Sequence, residues 1–190
     1  MIICIDPGHG MSNRKRGIYD PGAEVRVSNV RSVPPVTEAA IVMDWANELR
    51  AILKGMGHTV IRTRKDSLDS APLNERVATA KRFKCDVFIS LHCNAADRTA
   101  HGTETFYRGT SNKALAQRCN DAVVSALGTK SRGIKLESAS QHSRLAVLNF
   151  PRAVLIELGF MDHAGDLALI LDQQLMLLAC QNLATAITTP

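Results

Sequence analysis

Short apolar runs alternate along the chain with longer stretches of helical period. Those at 2–6, 58–63, 86–91, 103–107, 145–148 and 153–158 read as strands. Between them, Ile41, Val42, Trp45, Leu49, Ile52, Leu53 and Met56 recur at i, i+3, i+4, i+7. That spacing predicts a helix over 37–54, capped by Thr37 and ended by Gly55 and Gly57. Ser70 with Pro72 opens a second helix, with Leu73, Val77 and Phe83 inward. Leu115, Cys119, Val123 and Leu127 mark a third over 112–127, with Gly128 as its stop. Asp162 caps a short helix at 163–171, and a very apolar helix follows at 173–187. Residues 7–36, rich in Gly, Pro, Ser, Asn and Arg, fit neither period; so long a loop in a compact domain is functional or mobile.

Strands separated by helices predict an α/β fold: a single domain over 1–190, with a mostly parallel central sheet of about six strands and helices on both faces. Ligands of such sheets sit outside the carboxyl ends of the strands. The polar residues delivered there are Asp6 and His9, Ser90 and His92, and Glu157. All three groups are expected at one crevice.

Composition changes this picture little. The chain is 45% hydrophobic and 22% charged, ordinary for a globular domain. No linker, repeat or low-complexity segment points to a separate binding module. The net charge is +5, and every Lys and Arg lies at or before Arg152. That distribution favours an anionic partner, although aromatics at 4% and the lack of a recognised motif argue against nucleic acid. The five cysteines are odd in number and show no C-x-x-C, as expected of reduced, buried thiols. Cys93 follows His92, but strand alternation turns the two apart. The start at Met1-Ile2-Ile3-Cys4 has no leader pattern, and no apolar run reaches the roughly 20 residues of a membrane span. The expectation is synthesis in the cytoplasm, no membrane insertion, and a monomer.

A catalytic zinc site keeps three protein ligands, often two histidines and a carboxylate, and one open position. His9 and His92 offer the imidazoles. Glu38 lies in the first turn of helix 37–54, where the positive helix end favours its ionised form. Glu157 ends a strand among apolar residues; such burial raises a carboxyl pKa and suits a general acid or base. Asp6 is expected to hold His9 in one tautomer.

Four segments occur in order: Asp6-Pro7-Gly8-His9-Gly10, Thr37-Glu38, Ser90-Leu91-His92-Cys93-Asn94-Ala95 and Glu157-Leu158-Gly159-Phe160-Met161. Together they resemble the zinc-dependent N-acetylmuramoyl-L-alanine amidases of the amidase_3 type. Thr63-Arg64 and Leu73-Asn74-Glu75-Arg76 extend the likeness, which runs from about Ile2 to Ala186. Met11, Asp162-His163 and Pro34-Pro35-Val36 depart from the usual pattern.

The resemblance implies one Zn2+ per chain on His9, Glu38 and His92, with Glu157 as catalytic acid/base. It implies peptidoglycan as substrate, cleaved between N-acetylmuramic acid and L-alanine. Asn94 and His142 are further candidates for the substrate groove. The missing leader and wall-binding module suit a phage or prophage endolysin acting on a host wall. The alternatives are a zinc exopeptidase or deacetylase on the same scaffold, and a catalytically dead wall-binding domain.

Overall fold

The computed structural model describes residues 1–28 and 32–189. The chain begins with β1 (Ile2–Pro7) and continues through four short strands, β2 (Gly10–Met11), β3 (Tyr19–Asp20), β4 (Glu24–Val25) and β5 (Val36–Thr37). Helix α1 (Glu38–Gly55), β6 (Thr59–Arg62), α2 (Leu73–Arg82), β7 (Val87–Asn94) and β8 (Thr103–Tyr107) come next. The remainder is α3 (Lys113–Leu127), β9 (Ser131–Leu136), β10 (Ala153–Phe160), α4 (Ala164–Leu171) and α5 (Gln173–Thr188).

Six strands form one sheet in the order β6-β1-β7-β10-β8-β9. The pairs β6/β1, β1/β7, β7/β10 and β8/β9 are parallel; β8 runs antiparallel to β10. Strands β1, β7 and β10 are apolar on both faces because both are covered. One face packs against α1, α3 and α5, with Val42, Trp45, Leu49, Val123 and Leu183 in its core. The other packs against α2 and the 3-10 turn Ala146–Asn149, with Phe88, Val147, Leu148 and Phe150 inside. The buried indole of Trp45 remains satisfied, since Nε1 donates to Ile170 O at 3.1 Å.

Helix α1 starts where its cap predicts: Thr37 Oγ1 accepts from Ala40 N. Gly128 ends α3 in the left-handed conformation, φ 67°. Four expectations need correction. The run 145–148 is not a strand but most of a 3-10 turn, closed by Leu148 N donating to Leu145 O and tethered by Leu145 N to Glu137 Oε2. The sixth strand is β9 instead. Leu73 and Phe83 at the ends of α2 are exposed, and its inward face is Arg76, Val77 and Ala80. The cap of α4 is His163, whose Nδ1 accepts from Asp166 N; Asp162 accepts from Ala96 N and Arg98 N.

Candidate active site

The carboxyl ends of β1, β7 and β10 open into a cleft of about 730 Å3, a size typical of small-molecule sites. His9, Glu38, His92, Asn94, His142 and Glu157 all line it. The convergence expected from strand ends is therefore met. Asp6 and Ser90 also meet, Ser90 Oγ donating to Asp6 Oδ2 at 2.7 Å.

His9 follows β1 in the left-handed backbone region, φ 59°. That conformation costs an L-residue about 1–2 kcal/mol and persists only where its surroundings enforce it. Two buried arginines do so. Arg64 donates to Pro7 O, Gly8 O and Ala39 O, and Arg76 donates to Pro7 O and to His9 O at 2.6 Å. Arg76 also forms a fully buried ion pair with Asp6 at 2.7 Å. Burial alone would raise the Asp6 pKa; Arg76, Thr63 Oγ1 and Ser90 Oγ outweigh it and hold the carboxyl below its usual range.

Asp6 therefore serves the backbone turn and not the His9 ring, contrary to the sequence expectation. The ring's partner is Asp20, on β3 in the long loop, whose Oδ2 lies 3.2 Å from His9 Nδ1. Asp20 is itself fixed by Asn13 Nδ2 at 2.6 Å and Gly22 N at 3.0 Å.

Glu38, in the first turn of α1, gathers the rest. Its Oε1 lies 3.1 Å from His9 Nε2, 2.9 Å from His92 Nδ1 and 3.0 Å from Cys93 N. Its Oε2 accepts from Ala23 N at 3.0 Å. Burial opposes its charge, but the two imidazoles outweigh burial and hold its pKa far below the ordinary carboxylate range. Gly22, at φ +69°, makes the close approach possible: a Cβ there would sit 2.5 Å from Glu38 Oε2 and 2.8 Å from the His9 ring.

One donor atom from each of His9, Glu38 and His92 lies within 4.8 Å of the others. Two imidazoles and one carboxylate match a catalytic zinc donor set. The hydrogen bonding agrees. Both His9 nitrogens face carboxylate oxygens, yet a neutral ring has one N–H to offer. The cluster accordingly calls for a cation, either a second ring proton or a metal in its place. Burial disfavours that proton on His9, but Glu38 and Asp20 outweigh it and raise the ring's pKa. The residues fit a zinc ion. Partners that orient a ligating histidine commonly affect metal affinity 10–100-fold, so Asp20→Asn is expected to weaken zinc binding by about that factor. Competition with a chromophoric chelator measures it, and an unchanged affinity removes Asp20 from the role.

Glu157 stands opposite His92 across the β7/β10 pairing. Its Oε2 is shut off from solvent and has no hydrogen-bond partner among the described residues. Burial raises its pKa well above the ordinary value, and the nearby charges of Glu38 and Glu104 raise it further. No arginine among the described residues pairs with it. Cys93 is buried, and burial raises its thiol pKa, which leaves it a packing residue.

The family model for N-acetylmuramoyl-L-alanine amidases, Amidase_3, matches residues 3–189. The chain belongs to this amidase family. An uncharacterized cell wall amidase of Bacillus anthracis is 32% identical over 185 residues, covering 86% of this chain. The chain spans only 30% of that relative's length. Among solved structures, the catalytic domain of CwlV, an N-acetylmuramoyl-L-alanine amidase from Bacillus (Paenibacillus) polymyxa var. colistinus, superimposes with a TM-score of 0.81 at 28% identity. That match covers 98% of this chain and 96% of CwlV's. The catalytic domain of the CD27L endolysin targeting Clostridia difficile gives a TM-score of 0.72 at 25% identity, covering 98% and 96%.

Besides the four motifs, Glu104, Arg132 and Lys135 also line this Amidase_3 cleft. The sequence offers Tyr19-Asp20-Pro21-Gly22 of the long loop as a lining of the groove; in the structure Asp20 meets the His9 ring instead. Asn94 lines the cleft, with its amide donating to Glu104 Oε1 at 3.1 Å, and His142 stands on the rim among residues 139–146.

Proposed function

We propose that this chain is a zinc-dependent hydrolase that cleaves the amide between N-acetylmuramic acid and L-alanine in peptidoglycan. One observation carries the reading: Glu157 Oε2, shut off from solvent and without a hydrogen-bond partner among the described residues, stands one strand away from a three-donor cluster in the same cleft. His9, Glu38 and His92 would hold one zinc ion. When bound, it supplies Lewis acidity toward the amide carbonyl and acidifies a water molecule. Glu157 takes a proton from the attacking water and delivers it to the nitrogen of the departing L-alanine. A raised pKa suits both halves of that shuttle, because the group can hold the proton between the two transfers.

The likeness to the CD27L catalytic domain supports action as an endolysin on a bacterial host wall. Residues 1–190 would work as one catalytic unit and as a monomer, made in the cytoplasm. No single helix among the described residues is long and apolar enough to cross a membrane.

Purified peptidoglycan tests the reaction. Digestion should release new L-alanine amino termini, stop on chelation and return with zinc, at one metal per chain. Release of acetate, or of amino acids from peptide ends, would overturn the amidase reading in favour of a deacetylase or an exopeptidase. Undigested wall at full zinc occupancy would leave a binding domain.

A further inference from the structure

Beyond Glu157 the sheet continues to β8 and β9, and this part of the cleft wall is cationic. Glu104 on β8 is buried and pairs in register with Glu157 on β10. Its Oε2 accepts from Arg132 Nε at 2.7 Å and from Lys135 Nζ at 2.6 Å, both on β9. Residues three apart on a regular strand face opposite sides. Here they converge on one oxygen because β9 bulges: Thr103 pairs with Ser131, but Thr105 pairs with Ile134. Gly133, at φ 78°, takes the turn.

Neutralising Glu104 needs one cation, and β9 brings two. Both side chains line the cleft, and each is about a third exposed, at 31% and 30%. The Arg132 guanidinium is fixed further by the Phe160 ring at 4.9 Å. Lys135 Nζ bonds only Glu104 among the described residues, which leaves two of its three N–H donors for a ligand. The result is a held pair of cationic heads with one surplus positive charge and spare donors.

Their place along the sheet says what they would meet. The order β1, β7, β10, β8, β9 sets the three-donor cluster first, the Glu157 carboxyl next and the cations last. An acid delivers its proton to the leaving nitrogen, so the departing peptide extends past Glu157 over β8 and β9. We propose that Arg132 and Lys135 form a subsite for a carboxylate on that peptide, beyond its alanine; the inference rests on the amidase reading.

Two synthetic N-acetylmuramoyl-L-alanyl dipeptides test it, one with carboxylates on its second residue and the other with those groups amidated. Calorimetry on zinc-loaded Glu157→Gln protein measures binding without turnover. The acid should bind at least about tenfold more tightly than the amide, the value of one charge-assisted hydrogen bond. Lys135→Gln should reduce that ratio to within about twofold. Equal affinities in the protein with both cations intact, or no measurable binding of either compound, overturn the subsite. Hydrolysis of the same pair by the unaltered enzyme, scored as free L-alanine amino termini, decides the amidase reading separately.

Discussion

Glu157→Gln is expected to lower turnover on peptidoglycan by roughly a thousandfold while zinc content stays at one per chain. A positioned general acid or base contributes about 10²–10⁴-fold, and an amide of nearly the same size keeps the shape of the cleft. The substitution has a second effect of opposite sign. In the metal-free fold the Glu157 pKa is raised, by burial first and by Glu38 and Glu104 after it. The folded state therefore holds a proton that the unfolded chain releases above about pH 4.5, and stability falls as pH rises beyond that point. The neutral amide of the variant carries no such penalty. Metal-free variant protein should thus melt at a higher temperature than metal-free wild type at pH 7, and the gap should close toward pH 4. Lysis near the wild-type rate would remove Glu157 from the chemistry; equal melting curves at both pH values would show its carboxyl to be solvated.

Removal of the anion at the other end of the reaction centre has an equally large effect through a different route. Glu38→Ala should abolish both zinc binding and activity, and it should also destabilise the metal-free fold. The carboxylate accepts from Cys93 N and Ala23 N as well as meeting both imidazoles. A buried N–H left without an acceptor costs about 1–3 kcal/mol. Glu38→Gln separates the two roles, since its carbonyl can still accept a hydrogen bond but carries no charge. It should retain most of the stability and lose most of the metal. Full zinc occupancy in Glu38→Gln at equimolar metal would exclude Glu38 from the ligand set.

Periodicity located the strands that bear the chemistry because β1, β7 and β10 are covered on both faces and read as continuous apolar runs. It failed at β9. An edge strand with a glycine bulge, written Ser131-Arg132-Gly133-Ile134-Lys135-Leu136, has no apolar run to detect. The apolar run at 145–148 took its place in the reading, although a short buried segment of that kind serves a 3-10 turn equally well. His9 and His92 were legible from residue type and strand-end position, and Glu38 from its place in the first turn of α1 together with the family resemblance. The supports of this donor cluster were not, because they depend on how distant segments return. Asp6 is the nearer carboxylate to His9 in sequence, but strand geometry commits it to Arg76 and Ser90, and only the folded loop brings Asp20 to the ring. The helix caps show the same limit at smaller scale. Asp162 precedes α4 as a good cap should, yet its carboxylate is engaged by the backbone of residues 96 and 98, and His163 caps in its stead.

The loop from β2 to β5 touches the donor cluster at three points: Asp20 on His9, Gly22 against Glu38, and Ala23 N on Glu38 Oε2. Ion occupancy and the ordering of this loop consequently share a single free energy. At a hundredfold excess of free ion over its dissociation constant, the liganded form gains about 2.7 kcal/mol, and part of that gain falls on the loop. Bound as proposed, zinc would thereby protect the chain from proteolysis. The basic stretch Arg14-Lys15-Arg16, which projects from this same loop, is an obvious trypsin target. These residues are exposed already, and with zinc so bound the loop around them should open less often, so zinc-loaded protein is expected to outlast metal-free protein under trypsin.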